Sequence, residues 1–322
     1  MIILETEAEF LEDASSMDCS VIICTRNRSR ELINVLTTMA AMTIPPHLEW
    51  ELLVVDNGSS DDTPATIASF ADRLPITRVW EPNAGLSNAR NAGVRHARGR
   101  LIVWTDDDTR VVPGWLAAFY AAFTAHPEAA LFAGRITPAL LPPTPNWFRD
   151  AAADLHYLLA TRDFGPDPVP LSIEGERYPF GASAAVRAVE QRQFLYDPEL
   201  GVAPGRRRGG EETAVFVSIL AAGHTGWWVP DAEVEHQVVS ERQTTGYIRE
   251  YYGSMGEAWA ISGASTGPMI ARAPFATWAK VVTGSVRYAV ARVTRSSSWQ
   301  RYLASASFHR GALAYFRRAD QK

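Results

Sequence analysis

The run Leu101-Ile-Val-Trp-Thr-Asp-Asp-Asp108 places three aspartates directly after five apolar or β-prone residues. A short apolar run bounded by polar residues is typical of a buried strand, so we predict a strand over residues 101–105. The aspartates then stand at the carboxyl end of that strand. If the strand belongs to a parallel sheet, they face the edge where such sheets bind ligands.

Outward from this run, short apolar stretches alternate with helical patterns. The predicted strands cover residues 20–25, 51–56, 77–80, 101–105 and 130–136. The predicted helices cover residues 31–42, 64–71, 87–97 and 115–125. Strands and helices that alternate in this way imply right-handed crossovers and an α/β fold with a mainly parallel sheet.

The predicted strand ends are rich in polar side chains. Thr25, Asn27 and Arg28 follow the first strand, Asp56 ends the second, and the three aspartates end the fourth. Carboxylates gathered at one edge repel each other, so a divalent cation such as Mg²⁺ or Mn²⁺ would hold them together. The alternative is that Asp107 or Asp108 caps a helix that begins near Pro113, since aspartate is common at caps.

Composition narrows the class of protein. The chain has 322 residues, 47% of them hydrophobic, and a net charge of −5, which disfavours nucleic-acid binding. Its two cysteines, Cys19 and Cys24, lie too close along one predicted strand to bridge, so we expect both to be reduced, as in a cytoplasmic protein. No apolar run approaches the roughly 18 residues of a membrane-spanning helix, and the acidic N-terminus does not resemble a signal peptide.

Four segments in the right order resemble glycosyltransferase family 2. They are VIICTRNR at residues 21–28, LVVDNGS at 53–59, NAGLSNARNAG at 83–93 and VWTDDD at 103–108. Weaker similarities follow at GGEET, residues 209–213, and at His236. The resemblance implies a GT-A fold, a Rossmann-like mixed and mainly parallel sheet flanked by helices, with a helical C-terminal extension. It also implies an inverting, metal-dependent transfer from a nucleotide-diphosphate sugar, as in polysaccharide or glycolipid biosynthesis.

The resemblance also assigns roles to individual positions. Those implied to bind the nucleotide sugar are Thr25, Asn27, Arg28, Asp56, Asn83, Arg90, Asp106 and Asp107. The implied metal ligands to Mn²⁺ or Mg²⁺ are Asp108, Asp106 and His236, although His236 could instead be a core histidine. Glu212 stands where the family usually has aspartate and is the implied general base, with Glu211 beside it; the choice between the two stays open.

The second half of the chain carries further expectations. Gly181, Ala182 and Ser183 resemble an acceptor-binding segment, or form a tight turn, while Arg206, Arg207 and Arg208 could close over the diphosphate or be a solvated charge run. We predict an acidic segment over residues 1–18, a nucleotide-sugar-binding half over 19–136 and an acceptor-binding, catalytic half over 137–242. A basic, amphipathic helical region over 243–322 would then lie on an anionic bilayer at the cytoplasmic face or pack on the main domain.

Other classes of protein fit less well. The chain lacks the G-x-G-x-x-G of a dehydrogenase and the G-x-x-x-x-G-K-[ST] of a P-loop enzyme. It also lacks the glycine-rich loop of a nucleotidylyltransferase after the first strand. An aspartate-based phosphotransferase would leave Asp56 and residues 83–93 unexplained. The alternative function is a nucleotide-sugar-binding module that has lost catalysis. The sequence does not identify the donor base (uridine, guanosine or thymidine), the sugar or the oligomeric state. It does not identify the acceptor either, for which a lipid-linked saccharide is one candidate.

Overall fold

The computed structural model describes residues 17–263 and 268–319, apart from the side chains of residues 206, 207 and 319. Of the predicted acidic segment over residues 1–18, all but the last two positions lie outside the described residues. Asp18 is buried and its carboxylate pairs with Arg100, 2.5 Å away. This pair attaches the start of the described chain to the base of the sheet.

The first 140 residues alternate strands and helices as the apolar pattern predicts. In chain order these elements are β1 (Cys19–Thr25), α1 (Ser29–Met39), β2 (Trp50–Asp56), α2 (Thr63–Ala68), β3 (Ile76–Trp80), α3 (Leu86–His96), β4 (Leu101–Asp106), β5 (Thr109–Val111), α4 (Trp115–Ala125) and β6 (Ala129–Leu140). The helix that follows the aspartates begins at Trp115, and Gly114 precedes it without a side-chain cap. Asp107 and Asp108 therefore do not cap it.

The second half is less regular. It contains α5 (Asn146–Asp150), β7 (Ala184–Arg187), α6 (Ala188–Gln193), β8 (Val202–Ala203), β9 (Arg206–Arg207), α7 (Glu211–Ala221), β10 (Thr225–Val238), α8 (Thr245–Ile261), β11 (Met269–Ile270), β12 (Ala273–Pro274), α9 (Phe275–Val293) and α10 (Trp299–Ala319). In the described part of the chain, three 3₁₀ helices interrupt the loops, at Ala152–Leu155, Gly181–Ser183 and Ser240–Arg242.

One sheet of eight strands runs through the molecule in the order β3-β2-β1-β4-β7-β6-β10-β5. The four strands β3, β2, β1 and β4 are parallel, whereas β7 runs antiparallel to both β4 and β6. The long strand β10 pairs parallel with β6 and antiparallel with the short β5. This last pairing brings residues 234–236 of β10 beside the aspartates that follow β4.

Apolar side chains cover both faces of the sheet. On one face Leu32, Leu36 and Phe119 of α1 and α4 are fully buried, and on the other Ala92 and Phe216 of α3 and α7 pack in the same way. Cys19 and Cys24 are both free, Cys19 buried and Cys24 half-buried, as the sequence predicts. The sheet is thus sandwiched between two helical layers, which fixes the position of its carboxyl edge.

The three C-terminal helices form a separate layer with a core of its own. The helix α10 packs against both α8 and α9. Ile248 and Leu303 of this layer bury Phe148 and Leu155 from the segment that follows β6. No described helix combines the length and the apolarity needed to cross a membrane.

Candidate active site

The three aspartates after β4 point to three different sets of partners. Asp106 keeps a partly exposed side chain (39%) and faces Arg90, with a carboxylate oxygen 3.6 Å from Nη2. Asp107 and Asp108 are both buried, at 4% and 5% exposure. The chain turns sharply between β4 and β5, so consecutive side chains leave in different directions. One strand end therefore supplies three acids to three parts of a single site.

Asp107 connects the end of β4 to the end of β1. Its Oδ2 accepts a hydrogen bond of 2.8 Å from the hydroxyl of Thr25, and its Oδ1 lies 2.7 Å from Nη1 of Arg28. Burial raises the pKa of Asp107 to about 7, although Arg28 opposes that rise. Asp107, Thr25 and Arg28, which the sequence assigned to the nucleotide sugar, thus come together at the junction of two neighbouring strands.

Asp108 is surrounded by cations. Arg28 donates to its Oδ2 at 3.0 Å, Nη1 of Arg242 forms an ion pair with the same oxygen at 2.9 Å, and Nε2 of His236 lies 3.7 Å from its Oδ1. Burial alone would raise the pKa of Asp108, but His236 and the two arginines outweigh it and hold that pKa well below its ordinary value. The pairing of β5 with β10 sets this contact, because it places His236 opposite Thr109, the residue after Asp108.

The spacing of Asp108 and His236 fits two ligands of one divalent ion whose other ligands are phosphate oxygens. Two ligands that each lie about 2.1 Å from one ion are roughly 3–4 Å apart, which is the spacing seen here. His236 donates from Nδ1 to the carbonyl of Leu159 over 2.9 Å, which leaves Nε2 facing Asp108 as the atom that would bind a metal once deprotonated. Within the described residues no three His, Cys, Asp or Glu side chains gather around one point. Asp106 does not join the pair as a third ligand, because its carboxylate faces Arg90.

Arg90 of α3 lies at the centre of a second group of acids. Its Nη2 donates to Oε2 of Glu212 at 2.9 Å, and it lies 3.6 Å from Asp106 and 3.9 Å from Glu211. The guanidinium is almost fully buried and packs 5.6 Å from the ring of Trp104 and 5.4 Å from that of Tyr196. Burial lowers the pKa of Arg90, but the three carboxylates outweigh it and raise that pKa. Arg90 therefore stays charged and holds the acids together.

The two candidate bases differ in access. Glu211 and Glu212 form the first turn of α7, after Gly210 at φ 92°. The side chain of Glu212 is 20% exposed, whereas that of Glu211 is 6% exposed. Burial raises the pKa of Glu211 to about 7, and Arg90 opposes that rise. A hydroxyl that enters the site would reach the carboxylate of Glu212 more readily.

Of the predicted acceptor segment, Gly181 alone borders these groups. A Cβ added to Gly181 would collide with Oε2 of Glu212 and approach Nη1 of Arg90 to 2.7 Å. Ala182 packs in the core, and the Ser183 hydroxyl donates to the carbonyl of Ala232 while accepting from Trp115. The side chains of Ala182 and Ser183 are thus turned away from the acids, because the 3₁₀ turn directs them into the sheet, and only Gly181 stays a candidate for acceptor binding.

The predicted nucleoside contacts lie around the ends of β1, β2 and β3. Asp56 is fully buried; Arg78 donates two hydrogen bonds to it, at 3.0 and 2.7 Å, and the amide of Ser59 a third, at 2.8 Å. Asn27 and Asn83 are exposed nearby. Asn27 adopts φ 53° and accepts from the amide of Ser60, and the carbonyl of Asn83 accepts from the side chain of Asn57.

Three residues of this site were not predicted from the sequence. Arg78 pairs with Asp56, and the half-exposed Trp80 lies beside it, with its ring 5.1 Å from the guanidinium of Arg78. The sequence feature that could have indicated this pair is the tryptophan at the carboxyl end of a predicted strand. Arg242 meets Asp108 only because β10 folds back along β5, and no local pattern in the sequence marks it.

Comparison with known proteins gives matches to a family model and to individual relatives. Residues 20–155 match the family model described as glycosyl transferase family 2. The succinoglycan biosynthesis protein ExoM of Rhizobium meliloti is 26% identical over 229 residues, which are 70% of this chain and 69% of that protein. Validoxylamine A glucosyltransferase of Streptomyces hygroscopicus subsp. limoneus is 33% identical over 117 residues, which are 36% of this chain and only 26% of that protein.

Solved structures agree on the fold. Residues 1–349 of S. aureus TarS superimpose with a TM-score of 0.54 at 15% identity, covering 95% of this chain and 92% of that one. The mannosyltransferase PcManGT from Pyrobaculum calidifontis, solved with GDP-Man and Mn²⁺, gives 0.55 at 17% identity, covering 94% and 92%. The predicted GT-A fold is confirmed.

Proposed function

This chain belongs to glycosyltransferase family 2, and we propose that it transfers a sugar from a nucleotide-diphosphate sugar to a hydroxyl acceptor, with inversion and with a divalent metal. The observation that carries the proposal is the position of Glu212. Its carboxylate lies against Arg90, which in turn lies 3.6 Å from Asp106 at the end of β4. A candidate base and the metal-binding strand end therefore border the same site.

The residues divide into a donor side and an acceptor side. Thr25, Arg28, Asp107 and Asp56, at the ends of β1, β2 and β4, would hold the nucleotide part of the donor. Asn27, Asn83, Arg78 and Trp80 would border the nucleoside. Gly181 would border the acceptor beside Glu212; it lets the Glu212 carboxylate and the Arg90 guanidinium lie directly against the turn, because a Cβ there would collide with both.

A single displacement accounts for the chemistry. Glu212 accepts the proton of the acceptor hydroxyl as the acceptor oxygen bonds to the anomeric carbon, and the bond from that carbon to the diphosphate oxygen breaks. General-base help of this kind contributes about 10²–10⁴-fold to a rate. Arg90 fixes the orientation of Glu212 through its 2.9 Å hydrogen bond, so the carboxylate is already aimed when the acceptor arrives.

Asp108 and His236 would hold the metal, with Asp106 beside it on the donor. Such an ion, when bound, neutralises the diphosphate and makes it a better leaving group. The remaining ligands would come from the phosphate oxygens, as is usual for Mg²⁺ sites. PcManGT and a GalNAc transferase of similar fold were both crystallised with Mn²⁺, which supports the choice of Mn²⁺ or Mg²⁺.

The class of acceptor is inferred from one relative and from the charge of the C-terminal helices. ExoM is named for succinoglycan biosynthesis, which supports a role in building a polysaccharide or glycolipid. A lipid-linked saccharide at the cytoplasmic face of a membrane would suit the basic C-terminal helices.

A thermal-shift panel tests the donor side. UDP, GDP and TDP should be compared with and without Mn²⁺, since a ligand that binds only the native state raises the melting temperature. One nucleotide should give the largest shift, and Mn²⁺ should increase it. Asp108→Asn should remove the increase due to Mn²⁺, while Asp72→Asn, an exposed aspartate outside the site, should keep it. The absence of any shift with all three nucleotides would contradict the proposal.

Turnover separates an enzyme from a binding module. With the sugar donor of the preferred nucleotide, the chain should release sugar in a reaction that EDTA stops. Binding of the nucleotide without any release or transfer of sugar would identify a module that has lost catalysis. Turnover that persists when Asp106 and Asp108 are both replaced by asparagine would contradict the assignment of the site.

A further inference from the structure

The outward face of α9 carries an apolar stripe, which we call the α9 stripe. It consists of Phe275, Val282, Val286, Val290 and Val293, which are 57%, 58%, 56%, 55% and 84% exposed. Their spacing of three, four and seven residues puts them on one side of the helix. The opposite side of α9 packs on α10 through Thr277, Gly284 and Ala291. Among the described residues, nothing covers the stripe.

Basic residues lie to both sides of the stripe. On a helical projection Lys280 and Arg287 lie on one flank of α9, between the stripe and the side that packs on α10, and Arg292 lies on the other flank; all three are exposed. Residues 269–319 hold nine Lys or Arg and no Asp or Glu, whereas the whole chain holds 31 basic and 36 acidic residues. The positive charge of the protein is thus concentrated around its most exposed apolar surface.

A pocket of about 740 Å³, widely open to the surface, lies at the start of α9. Its lining includes Arg272, Trp278, Arg317 and Arg318. The indole of Trp278 donates to the carbonyl of Ile270 at 2.9 Å, and its ring lies 5.9 Å from the guanidinium of Arg317. Guanidinium groups match phosphate oxygens in geometry and charge. We call this feature the arginine cavity; next to it, Met269 and Ile270 are more than half exposed.

We propose that the α9 stripe and the arginine cavity dock on an anionic lipid bilayer. In this arrangement α9 lies in the plane of the interface. Its valines enter the boundary of the acyl chains, and Lys280, Arg287 and Arg292 contact the headgroups. The arginine cavity takes a lipid phosphate. An apolar face flanked by cations is the pattern that binds such surfaces, and its strength depends on both the apolar area and the anionic lipid.

The charges favour a bilayer over a second copy of the chain. A symmetric contact between two α9 stripes would bring Lys280, Arg287 and Arg292 of one copy close to the same residues of the other. Residues 269–319 contain no acid that could compensate for that repulsion. Anionic headgroups supply the missing negative charge along the whole length of the helix.

The docking face also lies close to the loop that precedes the candidate base. Glu257 of α8 accepts from Arg318 of the cavity at 3.2 Å and from Arg208 at 3.3 Å. Arg208 stands two residues before Gly210, the residue that precedes α7. One carboxylate therefore links the arginine cavity to the segment that leads to Glu211 and Glu212. Docking through α9 would hold this side of the site near the headgroups.

Vesicle co-sedimentation of the full chain tests the surface. Vesicles of phosphatidylcholine and phosphatidylglycerol at 3:1 should bind the chain, and pure phosphatidylcholine should bind it far less. Val286→Asp with Val290→Asp should weaken binding to the mixed vesicles by at least about tenfold, because two apolar contacts are lost and two like charges meet the anionic surface. Val189→Asp, on the 59% exposed valine of α6, is the matched control and should bind as the wild type does.

A second set of variants tests the cations. Arg287→Gln and Arg292→Gln should each weaken binding by about fivefold, since a basic residue near an anionic surface contributes roughly 1 kcal/mol. Raising NaCl should reduce binding of the wild type, and should matter less for the double glutamine variant. Melting temperatures close to that of the wild type would show that these variants fold; if the double aspartate variant does not, Val293→Asp, at the exposed end of α9, replaces it.

Three outcomes would overturn the proposal. The first is equal binding to mixed and neutral vesicles, and the second is binding that survives the double aspartate change. The third is self-association in sedimentation velocity that the same change abolishes while the wild type does not bind vesicles, which would make the stripe an interface between copies. None of these outcomes bears on nucleotide binding or sugar release, so the proposed function is tested separately.

Discussion

At the residue scale, Arg90 decides whether three acids can share one site. Glu211, Glu212 and Asp106 all lie within 3.9 Å of its Nη2. Like charges at this spacing repel strongly in a poorly hydrated pocket, and a single buried cation offsets that repulsion. The aromatic rings of Trp104 and Tyr196 beneath it exclude water and hold the guanidinium in place.

Replacing Arg90 should therefore destabilise the protein. Arg90→Met keeps much of the side chain's volume but leaves the acids without a countercharge, and the free energy of unfolding should fall by about 3–5 kcal/mol. Arg95→Met, on the same helix, removes an arginine whose side chain is 59% exposed and should cost at most about 1 kcal/mol. Urea denaturation of both variants measures the difference; equal losses would show that Arg90 is not the centre of the acid cluster.

The choice of base is also a question about single residues. Glu212→Gln should lower the rate of sugar transfer or release by about 10²–10⁴-fold, because the proton of the acceptor has no base to accept it. Glu211→Gln should cost less, since Glu211 is buried behind it. Steady-state kinetics with the preferred donor compares the two. A larger loss in the Glu211 variant would reverse the assignment.

At the scale of elements, the 3₁₀ turn Gly181–Ser183 packs directly against the first turn of α7. Gly181→Ala should push Glu212 or Arg90 aside and lower the rate by about 10²-fold, since small displacements of reacting groups are costly. The fold should survive, because the ends of both side chains can move. Gly114→Ala, where an added Cβ meets nothing within 4 Å, is the control and should keep full activity. Unchanged turnover in the Gly181 variant would remove this turn from the site.

At the opposite edge of the sheet, Glu51 joins three elements. It accepts from the Ser20 hydroxyl at 2.7 Å, from the backbone amide of Arg98 at 2.8 Å and from the Arg98 guanidinium at 2.7 Å. Burial raises the pKa of Glu51, but these hydrogen bonds outweigh burial and hold that pKa below its ordinary value. The ionised form is therefore more stable in the folded protein than in the unfolded chain.

The sign of the pH dependence follows from that lowered pKa. The stabilisation is complete above the unfolded pKa of about 4.3 and is lost as the pH falls through the lower folded value. Glu51→Gln should cost about 2 kcal/mol of unfolding free energy at pH 7, and the difference from the wild type should shrink below about pH 4. Glu49→Gln, at an exposed position nearby, is the control for removal of a carboxylate. A difference that stays constant with pH would contradict this account.

The parts of the fold that follow from the sequence are those with local patterns. The apolar run at residues 101–105 predicted β4, and the aspartates after it were expected at one edge of the sheet. Their separation toward Arg90, Arg28 and Arg242 could not be predicted, because it depends on strands far apart in the sequence. Arg242 reaches Asp108 only through the pairing of β10 with β5.

The direction of side chains in a turn could not be predicted from the sequence either. Gly181, Ala182 and Ser183 form one motif in the sequence, yet the 3₁₀ turn directs Ser183 into the core, where it bonds to Ala232. Alternation of apolar and polar residues assigns faces in strands, but it says nothing about a turn of three small residues. The acids of the site, with Arg28 and Arg90, could be listed from the sequence. Arg78, Arg242 and the partners of all these side chains required the tertiary structure.

At the scale of the whole molecule, the C-terminal layer depends on unusually close helix packing. A Cβ on Gly311 of α10 would collide with the backbone of Gly253 in α8, and one on Gly256 would collide with the backbone of Phe308. The two helices touch backbone to backbone, so no side chain can move to make room. Their contact buries Ile248 and Leu303 together with Phe148 of the preceding segment.

Gly311→Val should therefore separate α8 from α10 and destabilise the C-terminal layer. The sheet domain, which consists of the eight-stranded sheet and the helices on its two faces, should stay folded. Limited proteolysis should cut the C-terminal region faster than in the wild type, and vesicle binding should fall with it. The nucleotide-dependent thermal shift should persist, since Thr25, Asp56 and Asp107 belong to the sheet domain. Gly253→Ala, whose Cβ would lie 3.8 Å from Ser307, is a control in the same interface and should behave as the wild type does. If the Gly311 variant loses the nucleotide response as completely as vesicle binding, the two parts fold as one cooperative unit and the C-terminal layer is essential to the sheet itself.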